Sequence, residues 1–143
     1  MLYGKINAMN AVSPIDTVAW IHINHRKVLG VRSKGKDVYY LPGGKRHAGE
    51  SDEEALVREI YEELSVSLLR QSVKLVGRFE GQAHGEPEGV TVKRICYSGD
   101  YDGALKANSE IEEICWLSAT DTIRTSIVDG TIVNWLKQKD LID

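Results

Sequence analysis

A short stretch in the first half of the chain holds an unusual density of carboxylates. Seven of the fourteen residues from 50 to 63 are Asp or Glu, which is a third of the 21 acids in the sequence. Same-sign neighbours destabilise a helix, and a helix that needs only solubility usually mixes positive and negative side chains. A compensating positive charge is therefore expected at this stretch, either from the protein or from a bound cation.

The stretch carries the signals of a capped α-helix. Ser51 and Glu54 form an S-x-x-E capping box, which predicts a helix that begins at about Asp52. Acids in the first turn favour the helix dipole, so Asp52 and the two residues after it need no catalytic explanation. One arc of the helix is predicted to be buried: Leu56, Val57, Ile60, Tyr61 and Leu64. The opposite arc is predicted to hold Arg58, Glu59, Glu62 and Glu63.

The later acids of this helix can converge on a metal ion. Glu59, Glu62 and Glu63 are three or four residues apart, so their carboxylates can approach one another, and Arg58 offsets only part of their charge. Mg²⁺ and Mn²⁺ prefer carboxylate, carbonyl and water oxygens. Such a metal leaves positions for water and phosphate oxygens, which points to phosphoanhydride hydrolysis. A solvated acidic surface is the alternative that this spacing alone leaves open.

The residues before the helix can complete the site. Pro42, Gly43 and Gly44 predict a turn, and a glycine backbone lets a carbonyl approach a metal closely. Glu50 precedes the helix and can reach the same point.

The complete spacing resembles the Nudix box, G-x5-E-x7-R-E-U-x-E-E-x-G-U, in which U is aliphatic. Eight of the nine specified positions match between Gly44 and Val66, and a chance match is on the order of one in a million. Ser65 is the departure, because the family has glycine there. That glycine commonly adopts a left-handed backbone, in which serine costs about 1 kcal/mol. We expect a strained or altered helix exit at Ser65, without loss of a ligand.

The resemblance implies a fold, an activity and a set of roles. The fold is an α/β Nudix sandwich, α/β/α with a mixed β-sheet and a loop–helix–loop box, as a single domain over residues 1–143. The activity is a Mg²⁺- or Mn²⁺-dependent hydrolase that cleaves nucleoside diphosphates linked to another moiety. The implied metal ligands are Gly43, Glu50, Glu59, Glu62 and Glu63. The implied catalytic residues are Glu59, Glu62, Glu63, Arg58 and Glu110.

Individual roles follow from the same resemblance. Arg58 matches the box arginine that orients the glutamates. Glu59 or a neighbour is expected to orient or deprotonate the attacking water. Glu110 matches best a glutamate that many members carry before a late Trp-containing strand, as an additional base or ligand. Glu112 and Glu113 are the other candidates, and a solvated acidic loop is the alternative.

Substrate class is open to more than one interpretation. By analogy with other short members, we expect a nucleoside triphosphate pyrophosphohydrolase. The alternatives are ADP-ribose, a nucleotide sugar or a dinucleoside polyphosphate as substrate, or a binding module without turnover. A calcium site or a protein-interaction surface is the remaining reading of the acidic helix, although no EF-hand pattern occurs. Further candidates for contacting substrate are Trp20, His84, Arg32, Lys34, Lys36, Lys45 and Arg46.

The remaining elements predict a layered fold. Outside residues 50–63 the chain holds 14 acids and 17 bases, so it is mildly basic around one acidic locus. Strands are predicted at 17–24, 28–32, 38–41, 73–80, 89–98 and 114–117, and a helix at 128–139.

Composition bounds the setting of the protein. Cys96 and Cys115 lie in apolar stretches and are expected to be buried, reduced thiols. The chain has no long apolar run and no export signal, so a cytoplasmic protein without a membrane partner is expected. No basic stripe favours duplex nucleic acid, and the resemblance is compatible with a homodimer.

Overall fold

The computed structural model describes residues 13–143. The first ten residues, on which the expectation of no export signal rests, lie outside the described residues. The strands are β1 (Ile15–Trp20), β2 (Ile23–Asn24), β3 (Lys27–Ser33), β4 (Gly43–Lys45), β5 (Ser67–Leu68), β6 (Lys74–Gln82), β7 (Thr91–Ser98), β8 (Tyr101–Asp102) and β9 (Ile111–Leu117). The α-helices are α1 (Asp52–Leu64) and α2 (Ile127–Gln138), with 3₁₀ turns at Arg70–Ser72 and Ala119–Arg124.

The strands form a mixed arrangement in which the chain crosses between sheets. A four-stranded sheet has the order β4-β1-β7-β6, with β1 parallel to β7 and antiparallel to β4. A three-stranded sheet has the order β2-β3-β9, and β5 pairs with β8. The predicted mixed sheet is confirmed.

Strand β1 shows why the fold has three layers. Val18 and Trp20 belong to the core cluster that also contains Leu56 and Ile60 of α1. Ala19 alternates with them and packs in the cluster that contains Ile132 and Leu136 of α2. Because successive side chains of a strand point to opposite faces, β1 is buried on both sides. The sheets therefore lie between two helical layers, as the predicted sandwich requires.

The strand predicted at 17–24 is wrong in one respect. The first strand is interrupted after Trp20, and only Ile23–Asn24 pairs with β3. The Ile21 amide donates to Tyr97 in one sheet, whereas the His22 carbonyl accepts from Leu29 in the other. The chain thus changes sheets between neighbouring residues, which alternation of residue type does not reveal.

The segment before α1 also differs from its prediction. Residues 38–41 make only isolated bridges, Val31 to Tyr40 and Tyr39 to Thr125. Gly43 and Gly44, predicted in a turn, begin strand β4 and pair with Ala19 and Val18.

Helix α1 begins and ends where its sequence signals lie. Ser51 and Glu54 make both hydrogen bonds of the capping box, so the predicted start at Asp52 is confirmed. The helix ends on Ser65, which has φ 62° and ψ 22° in the left-handed region. Serine therefore adopts the conformation that favours glycine. Tyr61, predicted on the buried arc, is 60% exposed.

Helix α2 and the two cysteines lie close to their predicted positions. The helix predicted at 128–139 is α2, capped by the Ser126 side chain. No helix within residues 13–143 is long and apolar enough to cross a bilayer. Cys96 is buried, but Cys115 is only partly buried, and both are free thiols.

Candidate active site

Arg58 gathers three of the predicted glutamates. Its Nε and Nη2 donate to the two carboxylate oxygens of Glu50 at 2.7 and 2.8 Å. Its Nη1 donates to Glu59 at 2.9 Å and to Glu62 at 3.3 Å. Nη2 also donates to the Lys45 carbonyl at 3.1 Å, which ties α1 to the end of β4. This geometry agrees with an arginine that orients the glutamates.

Glu50 is the most firmly held of these carboxylates. Its hydrogen bonds from Arg58 and from the His47 amide lower its pKa to about 2. It is therefore ionised at neutral pH, with both oxygens facing protein donors. The structure places Glu50 as the partner of Arg58, and its predicted role as a metal ligand stays a prediction.

Glu63 does not lie on the solvent-facing arc, where the sequence reading placed it. It is 6% exposed and accepts a hydrogen bond from the Gly43 amide at 3.0 Å. Because seven residues advance a helix by nearly two turns, Glu63 lies about 20° from the buried Leu56 on the helical wheel. Glu63 thus points from the buried face of α1 towards β4.

Burial makes Glu63 an unusual carboxyl group. Loss of hydration is the main cause that raises its pKa to about 8, and repulsion from Glu59 and Glu110 adds to it. The Gly43 amide and the charge of Arg94 oppose the rise but do not cancel it. The charged form of Glu63 is therefore poorly compensated by the protein alone.

Two consecutive glycines let the backbone of β4 approach these carboxylates. A Cβ added at Gly44 would lie 2.5 Å from Oε2 of Glu59. A Cβ at Gly43, where φ is +144°, would lie 2.0 Å from the Val18 carbonyl oxygen. A side chain at Gly43 would collide with backbone, so glycine is required there, whereas a side chain at Gly44 would displace the Glu59 carboxylate. Burial also raises the pKa of Glu59, while Arg58 opposes that rise.

Glu110, which precedes β9, lies at the same cleft as Glu63. It lines a cleft of about 200 Å³ together with Lys36, Gly43, Glu63 and Arg94. Of the late-loop candidates, Glu113 is instead bound by Arg32 at 2.8 Å and by the Tyr39 hydroxyl at 3.0 Å. The structure therefore brings Glu110, and not Glu113, to the acidic cleft.

The donor set fits a hard divalent cation, although its members are not gathered around one point. No cluster of three or more His, Cys, Asp or Glu side chains in metal-binding proximity occurs within residues 13–143. Glu59 and Glu62 accept hydrogen bonds from Arg58, whereas Glu63 accepts its hydrogen bond from the Gly43 amide. The poorly compensated Glu63 and the glycine cradle beside Glu59 nevertheless supply oxygen donors of the kind Mg²⁺ and Mn²⁺ prefer.

Of the cationic side chains near the box, the arginines have carboxylate partners and two of the lysines line clefts. Arg46 pairs with Asp16 and Asp52, and Arg32 pairs with Glu113. Lys36 lines the acidic cleft. Lys45 lines a neighbouring cleft of about 220 Å³. Phosphate contact therefore remains the prediction for Lys36 and Lys45, whereas the two arginines already have carboxylate partners.

Trp20 and His84, the other two candidates for contacting substrate, lie in different surroundings. Trp20 is fully buried and stacks on His22 with ring centroids 4.8 Å apart, so core packing accounts for it. His84 lines the neighbouring cleft and lies 3.3 Å from Asp37.

Sequence reasoning missed a buried ion pair between these two clefts. Arg94 lines both clefts and pairs with Asp129, Nε to Oδ1, at 2.8 Å. The only sequence signals were an arginine within the apolar run of β7 and the Ser126-x-x-Asp129 cap pattern. Neither signal says that the two residues meet.

Comparison with known proteins identifies the family. The family model described as the NUDIX domain matches residues 14–136, which is most of the chain and includes the whole box. The chain belongs to the Nudix family of hydrolases, whose members generally use divalent metal ions and act as pyrophosphohydrolases. A search of curated proteins found no match.

Solved structures agree with the fold. The E. coli ORF135 protein superposes with a TM-score of 0.70 at 24% identity, over 92% of this chain and 96% of that chain. The MutT NUDIX hydrolase from Burkholderia pseudomallei gives 0.64 at 22% identity, over 77% and 87%. A protein described as UDP-X diphosphatase gives 0.67 at 19% identity, over 97% and 70%. At these identities the likeness supports the fold and leaves the substrate open.

Proposed function

We propose that this protein is a divalent-cation-dependent pyrophosphohydrolase that converts nucleoside triphosphates to the monophosphate and pyrophosphate. The observation that carries the proposal is the cradle formed by Gly43 and Gly44 against Glu59 and Glu63. Burial raises the pKa values of both carboxylates, and Glu63 lies at the wall of a cleft together with the two glycines. A cation is the partner that such a set lacks.

Different residues of the box would bind the cation and position its ligands. Glu59, Glu62 and Glu63, with the Gly43 carbonyl, would hold Mg²⁺ or Mn²⁺, and Arg58 would keep Glu59, Glu62 and Glu50 in place. A cation bound there would neutralise charge on the phosphates and acidify the attacking water. Arg58 already has the contacts that this role requires.

The reaction is a hydrolysis at phosphorus. Water forms a bond to one phosphorus of the anhydride, the bridging P–O bond breaks, and the leaving phosphate keeps the electron pair. Glu110 is our candidate acceptor for the proton of the water, because it lines the same cleft as Glu63. Within residues 13–143 its carboxylate has no ion-pair partner. Glu59 is the alternative acceptor, since it lies beside Gly44 at the same wall.

A substrate panel tests the proposal. Nucleoside triphosphates, ADP-ribose, nucleotide sugars and dinucleoside polyphosphates are incubated with Mg²⁺ or Mn²⁺, and products are identified by chromatography. We expect pyrophosphate and a nucleoside monophosphate from at least one triphosphate. Faster cleavage of ADP-ribose or a nucleotide sugar would replace the substrate class, and tight binding without turnover would indicate a binding module.

A further inference from the structure

A buried ion pair lies beside the acidic cleft, on elements outside the box. Arg94 comes from β7 and Asp129 from the first turn of α2. They are 6% and 1% exposed, and Nε and Oδ1 are 2.8 Å apart. The Ser126 hydroxyl donates to the other carboxylate oxygen of Asp129 at 3.0 Å. Each charge is therefore fully engaged within the protein.

The pair holds both backbone polar groups of Leu41. Arg94 Nη2 donates to the Leu41 carbonyl at 2.6 Å, and the Leu41 amide donates to Asp129 Oδ2 at 3.3 Å. Leu41 is 1% exposed and belongs to no strand. Buried backbone groups need partners, and here the two side chains replace the missing strand neighbour.

Leu41 occupies the point where the chain crosses between the two sheets. Its predecessor Tyr40 bridges to Val31 of β3. Two residues after Leu41, Gly43 pairs with Ala19 of β1. The position of Gly43 therefore depends on how the crossing segment is fixed.

Gly43 carries this constraint into the acidic site. Its amide donates to Glu63 at 3.0 Å, and the following residue, Gly44, packs on Glu59. A shift of the crossing segment would move the donor away from Glu63 and open the cradle around Glu59. Displacements of about 1 Å in such sites are costly to catalysis.

We propose that Arg94 and Asp129 are a positioning pair, which fixes Leu41 and thereby places the Gly43 backbone against Glu63. The pair couples helix α2, which holds none of the box residues, to the site on α1. Stability alone gives a weak reason for the pair, because apolar residues of the same volume often stabilise a core equally well. The inference rests on the proposed function for its kinetic consequence, and on geometry for the rest.

Amide hydrogen exchange in the wild-type protein gives the first test. If the pair fixes the segment as a unit, the Leu41 and Gly43 amides exchange through one opening, with the same dependence on denaturant. Pro42 between them has no amide. A Gly43 amide that exchanges far faster than Leu41, with a different denaturant dependence, would overturn the proposal without any substitution.

The variant Asp129→Asn gives the second test. Its side chain keeps the volume but has one acceptor oxygen, so it cannot serve both Arg94 and the Leu41 amide. We expect kcat to fall about ten- to a hundredfold, as for other residues that orient metal ligands, with KM within about twofold. The Mn²⁺ concentration for half-maximal rate and the exchange rate of Gly43 should both rise.

Arg26→Gln is the matched control for lost stability. Arg26 pairs with Asp140 and Asp143, near the C-terminus, and lines neither cleft. The Arg26→Gln substitution should lower the unfolding temperature without changing kcat or the exchange rate of the Gly43 amide. A folded Asp129→Asn protein with wild-type kcat and a wild-type Gly43 amide would contradict the proposal. Absence of any nucleotide turnover in the wild type would refute the proposed function, while exchange at Leu41 and Gly43 would still decide the positioning role.

Discussion

Arg58 and Arg94 are both arginines among carboxylates, yet their surroundings differ in charge balance. Arg58 is 22% exposed at its side chain and contacts Glu50, Glu59 and Glu62. Arg94 is 7% exposed at its side chain, and Asp129 is its one ion-pair partner within residues 13–143. The first network places three carboxylates around one arginine, whereas the second is a buried, neutral pair of one arginine and one carboxylate. A cation can therefore complete the first network, whereas the second network is already neutral and needs none.

The largest expected effect comes from removing the acid that lacks compensation. Glu63→Gln should lower kcat about a thousandfold, which corresponds to about 4 kcal/mol of transition-state stabilisation. It keeps an acceptor for the Gly43 amide, so the fold should persist. Steady-state hydrolysis with saturating Mg²⁺ measures it. Glu53→Gln, on the exposed first turn of α1, is the control and should keep wild-type rates.

The two networks should differ next in their importance for stability. Asp129→Asn leaves a buried arginine poorly compensated and should lower the free energy of unfolding by about 3 kcal/mol. Arg58→Gln removes partly exposed contacts and should cost about 1 kcal/mol, although it should lower activity more than tenfold. Urea denaturation of both variants measures the contrast. Equal destabilisation by the two substitutions would contradict the expected difference between the networks in their contribution to stability.

The pH dependence of stability sharpens the contrast at Glu63. Burial raises the pKa of Glu63 from 4.5 to about 8, so between these values the folded state retains a proton that the unfolded state has lost. Stability of the metal-free protein should therefore fall as pH rises from 4.5 to 8, by a few kcal/mol on the order-of-magnitude scale of linkage. Urea denaturation in a chelator, wild type against Glu63→Gln, isolates this contribution. Parallel curves for the two proteins would exclude it.

The smallest expected effect lies at the end of α1. Ser65 adopts φ 62°, which costs serine about 1 kcal/mol relative to glycine, less the greater freedom of glycine in the unfolded chain. Ser65→Gly should therefore stabilise the protein by about 0.5 kcal/mol and leave kcat unchanged. Thermal unfolding detects this gain. Ser67→Gly, in strand β5, should instead be neutral or destabilising.

Local signals in the sequence predicted the elements of the box well. The capping box at Ser51 and Glu54 and the helical face that carries Arg58 depend on neighbours within two helical turns. The resemblance of the box depends on the one continuous stretch from Gly44 to Val66. The structure confirms the cap and the fold, and Ser65 takes the left-handed conformation that the box pattern anticipates. The roles of Glu59, Glu62, Glu63 and Glu110 as ligands or bases stay predictions.

The features that the sequence did not reveal depend on distant parts of the chain. The helical period alone places Glu63 near Leu56 on the buried face, but its hydrogen bond from the Gly43 amide joins residues twenty positions apart in sequence. The pairing of Arg94 with Asp129 joins residues 35 positions apart. The sheet change at Ile21 and His22 requires knowledge of which strands lie on each side. Patterns of residue type describe faces and turns, whereas these contacts are set by the packing of whole layers.

Hydrolysis of the best nucleotide substrate, followed in H₂¹⁸O with and without Mg²⁺, decides whether the acidic helix is the site of reaction. We expect turnover that requires the cation, incorporation of ¹⁸O at a single phosphorus, and loss of turnover when Glu59, Glu62 and Glu63 are replaced together by Gln. Undiminished hydrolysis by the triple variant, or by the wild type in excess chelator, would contradict the assignment of this acidic helix as the site of reaction.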